Sequence, residues 1–105
     1  MALFVYMTAP DVDTAQRLAR MMVERRLAAC VNLVSGMHSV YWWEGAVEQA
    51  EEVVLIAKTE DDRYDALEQA VIEAHPYECP CIVAMPITRA APAYNAWITA
   101  STRVE

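Results

Sequence analysis

Three side chains suited to soft metal ions fall within seven residues: His75, Cys79 and Cys81. Imidazole and thiolate together favour copper and other thiophilic ions, Cu(I) above all. Cys79 and Cys81 flank Pro80, so an extended backbone there turns both thiols to the same side. The spacing lacks the paired motif of a structural zinc site, and cysteine serves more often as a small buried hydrophobe than as a ligand.

A second group runs through Tyr41-Trp42-Trp43-Glu44-Gly45 and continues with Glu48, Glu51, Glu52 and Lys58. In an extended run, alternation puts Glu52, Val54, Ile56 and Lys58 on one face, with Glu52 and Lys58 about 20 Å apart. Those two cannot pair within one chain. They suit either a pocket shared between copies or the charged rim of an interface whose anchors are the aromatics. His38 has no partner in sequence and reads as structural. No Ser-His-Asp set, H-E-x-x-H or Gly-rich phosphate loop is present, and two glycines in 105 residues leave little scope for a backbone phosphate cradle. The chain reads as a non-enzyme.

The elements that position these groups follow from patterning. Residues 2–8 are apolar and rich in strand formers, and Ala9-Pro10-Asp11 ends the run. Val12, Ala15, Leu18, Ala19, Met22, Val23 and Leu27 recur at helical spacing, with acids at the start and Arg25 and Arg26 at the end. Residues 29–43 and the run to Thr59 form a long hairpin turning at Glu44-Gly45, with arms of about 40–50 Å and Gly36 marking a bulge. Thr59-Glu60-Asp61-Asp62 has the pattern of a capping box before a helix carrying Tyr64, Leu67, Ala70, Val71 and Ala74, which Pro76 ends. Residues 81–88 read as a strand, and Pro92 opens a last helix with Tyr94, Trp97 and Ile98. The order β-α-β-β-α-β plus a helix is the split βαβ, ferredoxin-like pattern of an α/β chain of the α+β kind, with antiparallel strands and both helices on one face. Residues 1–105 make one domain.

Composition narrows the partners. A hydrophobic fraction of 56% against 22% charged is high for so small a domain, so part of the apolar surface is expected to meet another copy. An overlong hairpin, whose unpaired edges need cover, points the same way. The net charge of −7 opposes nucleic-acid binding. No apolar run reaches a membrane span, residues 1–7 lack the features of a signal peptide, and three cysteines without framework spacing suit a reducing compartment. A cytoplasmic location without disulfides is expected.

The chain resembles the divalent-cation tolerance protein CutA family. The resemblance is carried by Thr8-Ala9-Pro10, Leu27-Ala28-Ala29-Cys30-Val31-Asn32, Tyr41-x-Trp43-Glu44-Gly45, Glu52-Val53 with Lys58-Thr59, His75-Pro76-Tyr77-Glu78-x-Pro80, Pro86-Ile87 and Tyr94-x-x-Trp97, in order over nearly the whole chain. It implies a ferredoxin-like fold similar to the PII signalling proteins, tight homotrimers built through long hairpin strands, and a part in tolerance of copper and other divalent ions. The copper ligands proposed in some bacterial relatives fall on Met7, Ala74 and His75. Of these His75 is retained, and the Met7 thioether offers Cu(I) a soft donor. Cys81 stands where relatives often carry glutamate.

Two functions follow as expectations. The first is a trimeric, metal-binding protein of cation tolerance, with His75, Met7, Cys79 and Cys81 as candidate copper ligands. The alternative is a PII-like sensor or scaffold taking a small molecule or partner protein in an intersubunit cleft formed by Trp43, Glu52, Lys58 and Tyr77.

Overall fold

The computed structural model describes residues 1–104. Its elements are β1 (Ala2–Ala9), α1 (Val12–Glu24), β2 (Cys30–Trp43), β3 (Ala46–Glu60), a 3-10 turn at Asp61–Arg63, α2 (Tyr64–Ala74), β4 (Ile82–Pro86) and α3 (Pro92–Ser101). The strands form one antiparallel sheet in the order β2-β3-β1-β4. The split βαβ order read from the sequence is realised.

Alternation along β1 decides which face of the sheet is covered. Leu3, Val5, Met7 and Ala9 pack with Val53, Leu55 and Ala57 of β3 into one core, closed by Ala15, Leu18 and Met22 of α1 and by Leu67, Ala70 and Val71 of α2. Phe4, Tyr6, Val54, Ile56 and Lys58 point the other way. On that side α3 packs at one end, with Ile98 against Ala2 and Tyr94 against Cys30, while Val34, Val83 and Met85 are all about half exposed.

Asp11 starts α1 by accepting the Thr14 amide at 2.7 Å, satisfying one of the orphan donors of the first turn. The buried stripe is narrower than the periodicity suggested, because Val12 and Val23 face solvent. Arg26, at φ +57°, turns the chain out of the helix, and Leu27 and Ala28 both donate to the Met22 carbonyl.

Arms of 14 and 15 residues make the hairpin. Trp43 pairs with Ala46 across a two-residue turn in which Glu44 (φ +49°) and Gly45 (φ +81°) are both left-handed, the twist that suits a hairpin. One extra residue enters β2 between Val34 and Met37, with Gly36 at φ +79°, so the expected bulge is present. Since β1 pairs with β3 only over Val53–Glu60, the rest of the hairpin projects as a two-stranded ribbon.

Thr59 departs from the capping-box expectation. It remains in β3, fully buried, and its hydroxyl donates to the Leu27 carbonyl at 2.6 Å. No side chain caps the 3-10 turn or α2. The last strand is shorter than residues 81–88, and Pro92 opens α3 as expected. Ile98 of α3 joins Ala2 and Ala29 in a small second core.

Candidate functional site

Glu52 is the most constrained ionisable side chain on the open face. Only 8% of its surface is exposed, yet both carboxylate oxygens are satisfied: Ser39 Oγ donates to Oε1 and the Tyr77 hydroxyl to Oε2, each at 2.7 Å. Short bonds to a charged acceptor are among the stronger ones, and they offset the cost of taking a carboxylate out of water. Ser39 comes from β2 just beyond the bulge; Tyr77 comes from the bend after α2. Burial first, and the bond to Glu52 second, push the Tyr77 phenol well above its ordinary value, so it remains a donor. The Cys81 thiol is pushed up too, chiefly by burial and then by the charge of Glu52.

His75 holds Tyr77 in place. Its Nε2 lies 2.8 Å from the Thr8 carbonyl, its Nδ1 lies 3.1 Å from the Tyr77 amide, and the two rings stand 4.7 Å apart. A carbonyl only accepts and an amide N–H only donates, so Nε2 carries the proton and Nδ1 uses its lone pair on Tyr77. The ring is 7% exposed, enclosed despite its place at the end of α2. Thr8, His75, Tyr77, Glu52 and Ser39 thus form one hydrogen-bonded chain tying β1, the α2 terminus, β3 and β2.

The candidate copper ligands are placed unequally. Both His75 nitrogens are engaged, and Met7, 1% exposed, belongs to the helix-side core. Cys79 is exposed and Cys81 half-buried, both as free thiols. Among the described residues no three His, Cys, Asp or Glu side chains gather closely enough to hold a metal ion. As one joint set the four candidates do not fit a metal in this conformation; the two thiols alone keep free soft donors.

Of the cleft candidates, Glu52 and Tyr77 meet and the others stand apart. Lys58 lies six residues along β3 from Glu52, opposite Cys30 and Phe4, and donates to the Asn32 amide oxygen. Trp43 sits beside the hairpin turn, 43% exposed. Ser39 went unseen as a partner of Glu52, because the bulge resets the register between them. Two further contacts of the open side were also unseen: Tyr6 OH to Met37 Sδ at 3.3 Å, and Cys30 Sγ to Tyr94 OH at 3.5 Å. Tyr94 in turn packs on Trp97, with ring centroids 5.4 Å apart. His38, read as structural, is exposed on the ribbon opposite Glu51.

Residues 3–101 match the family described as CutA1 divalent ion tolerance protein. The chain is 42% identical over 102 residues to the chloroplastic Protein CutA 1 of Oryza sativa subsp. japonica, covering 97% of this chain and 58% of that protein's length. It is 40% identical over 95 residues to the divalent-cation tolerance protein CutA of Archaeoglobus fulgidus, covering 90% and 92%. The fold superposes on the divalent cation tolerance protein (Cut A1) of Thermus thermophilus with a TM-score of 0.95 at 39% identity, covering 98% of this chain and 100% of that one. The Archaeoglobus fulgidus CutA structure, named as periplasmic, gives 0.95 at 38% identity, covering 98% and 100%. One relative is named chloroplastic and another periplasmic, so likeness to them does not carry the cytoplasmic expectation. No helix among the described residues is long and apolar enough to cross a membrane. By sequence and fold together, the chain belongs to the CutA1 divalent ion tolerance protein family, a non-enzymatic family.

Proposed function

We propose that the chain works as a homotrimer contributing to tolerance of divalent cations, with copper the first ion to test. The observation that carries the assembly is the uncovered sheet face: Val34, Val83 and Met85 are half exposed there, and the ribbon on the turn side of Val53 reaches past the chain's own sheet. Apolar side chains on an unpaired ribbon are the surface another copy would cover. Metal contact is assigned to the thiols of Cys79 and Cys81, the candidate donors left free. His75 would join them only after losing its bond from the Tyr77 amide. Free thiols suit a reducing compartment such as the cytoplasm.

The sensor or scaffold reading is favoured by one observation, the hydrogen-bonded chain that engages His75 and Tyr77 without a metal. In that reading an intersubunit cleft, with Glu52 and Tyr77 from one copy and Lys58 from another, takes a small molecule or a partner. Native mass spectrometry with Cu(I), Cu(II) or Zn(II) separates the two. A trimer retaining stoichiometric metal supports the first. A metal-free trimer whose melting temperature rises with a metabolite supports the second, and a folded monomer refutes the assembly.

A further inference from the structure

We propose that Lys58 forms one half of an ion pair between copies, the other half being Glu48 on a second copy's hairpin; this rests on the homotrimer proposed above. Lys58 is the chain's single lysine and the only Lys or Arg in any strand. It stands on the open face at the end where α3 packs, opposite Phe4 on one side and, on the other, Cys30, whose thiol meets the Tyr94 hydroxyl. Its ammonium donates to the Asn32 amide oxygen, and it belongs to none of the ion pairs among the described residues.

In water this arrangement is undemanding. Once another copy covers the face, an ammonium with one neutral acceptor becomes an uncompensated charge in an apolar surround, which is strongly unfavourable. The face's own carboxylates do not answer it: Glu60, two residues along β3 on the same face, is engaged by the Met1 ammonium at 3.4 Å and by the Thr99 hydroxyl at 2.8 Å. Glu52 is about 20 Å away along the strand, and both its oxygens are already bonded. A second copy must therefore bring the anion.

The hairpin carries the complementary charge. From Leu27 to Ala57 there is no Lys or Arg, whereas Glu44, Glu48, Glu51 and Glu52 all lie in that span. Glu48 alternates with Glu52 on β3 and stands opposite Tyr41, so it shares the face that continues the uncovered side of the sheet. Glu51 stands opposite His38 on the reverse face, and Glu44 belongs to the turn. Because the ribbon projects beyond its own sheet, Glu48 is placed to reach a neighbour.

A charge exchange tests the pair. Lys58→Glu, Glu48→Lys and the double variant are compared with the parent by sedimentation across dilution in graded guanidinium chloride. Each single exchange sets like charges against each other at every interface and raises the dissociation midpoint at least about tenfold; the double returns it to within about threefold of the parent. A milder cycle of Lys58→Met and Glu48→Gln serves if the like-charge singles fail to fold, and coupling there supports the pair equally. Additive losses in the cycle overturn the pair, as does rescue of Lys58→Glu by Glu44→Lys rather than by Glu48→Lys. A parent that is monomeric at micromolar concentration overturns the assembly and the pair together, whereas a trimeric parent without coupling removes only the pair.

Discussion

The Tyr77 hydroxyl donates to Glu52 Oε2 at 2.7 Å, joining the bend after α2 to a strand residue 25 positions earlier. With Ser39 on the other oxygen, this contact fixes how the ribbon leaves the sheet. The cluster is a structural clamp first, and any ligand near Cys81 meets it.

Tyr77→Phe keeps the ring and removes the donor, leaving one oxygen of an enclosed carboxylate unmet. We expect a loss of about 1–3 kcal/mol, measured by denaturant unfolding. Ser39→Ala should cost a similar amount, and the double variant should depart from the sum because both bonds serve one group. Unfolding curves for Tyr77→Phe that overlay the parent's would show that water replaces the hydroxyl freely.

His75→Ala is expected to act on stability rather than on copper. It removes an enclosed ring with two hydrogen bonds and frees Tyr77 to move, so the melting temperature should fall while the Cu(I) affinity changes less than about threefold. Cys79→Ser with Cys81→Ser should lower Cu(I) affinity by at least about tenfold, taking even the loss of a supporting group as the minimum effect. Competition with a chromophoric chelator measures both. The opposite ranking would return the site to His75.

Asp11 links helix α1 to pH. The Thr14 amide holds its carboxyl below the ordinary value of 3.8. A carboxyl lowered on folding adds stability that is present above its unfolded pKa and is lost as the pH falls through the folded one. Asp11→Ala should therefore melt below the parent at pH 7, and the gap should shrink as the pH drops below about 4. Thermal melts of both proteins at several pH values test this, and a gap that stays constant would assign the effect to packing.

Trp43 lies beside the hairpin turn on the face shared with Glu48, with 43% of its surface open to solvent in the single chain. Truncating a central aromatic of an interface commonly costs about 2 kcal/mol or more, so Trp43→Ala should promote dissociation of the assembly on dilution. Sedimentation profiles that match the parent's at every concentration would place this side chain outside the interface.

Much of the scaffold was legible because local signals agreed. The Glu44-Gly45 pair, Gly36, Pro92 and the period of α1 each specify a backbone conformation within a few residues. Alternation placed Glu52 and Lys58 on one face, and the rise per residue separated them by about 20 Å along the strand. What escaped depends on contacts between distant segments. Thr59 matches a cap by pattern, but the Leu27 carbonyl lies 32 positions away in sequence and claims its hydroxyl inside the fold. His75 beside two cysteines suggests a ligand set, until Thr8 and Tyr77 take up its nitrogens. Ser39 could be matched to Glu52 only by counting the extra residue that enters β2 at the bulge.

The two-residue turn at Glu44-Gly45 also sets an order of events. Ribbon formation closes almost no loop, whereas β1 must find partners as far away as Glu60 and Pro86. Loop-closure entropy therefore favours the hairpin first and the central strand later. During synthesis the residues of β1 emerge before either arm of the ribbon yet wait for its second arm to be completed. The segment proposed to meet other copies can thus exist before the chain has a core, and crowded nascent chains would be exposed to premature pairing there.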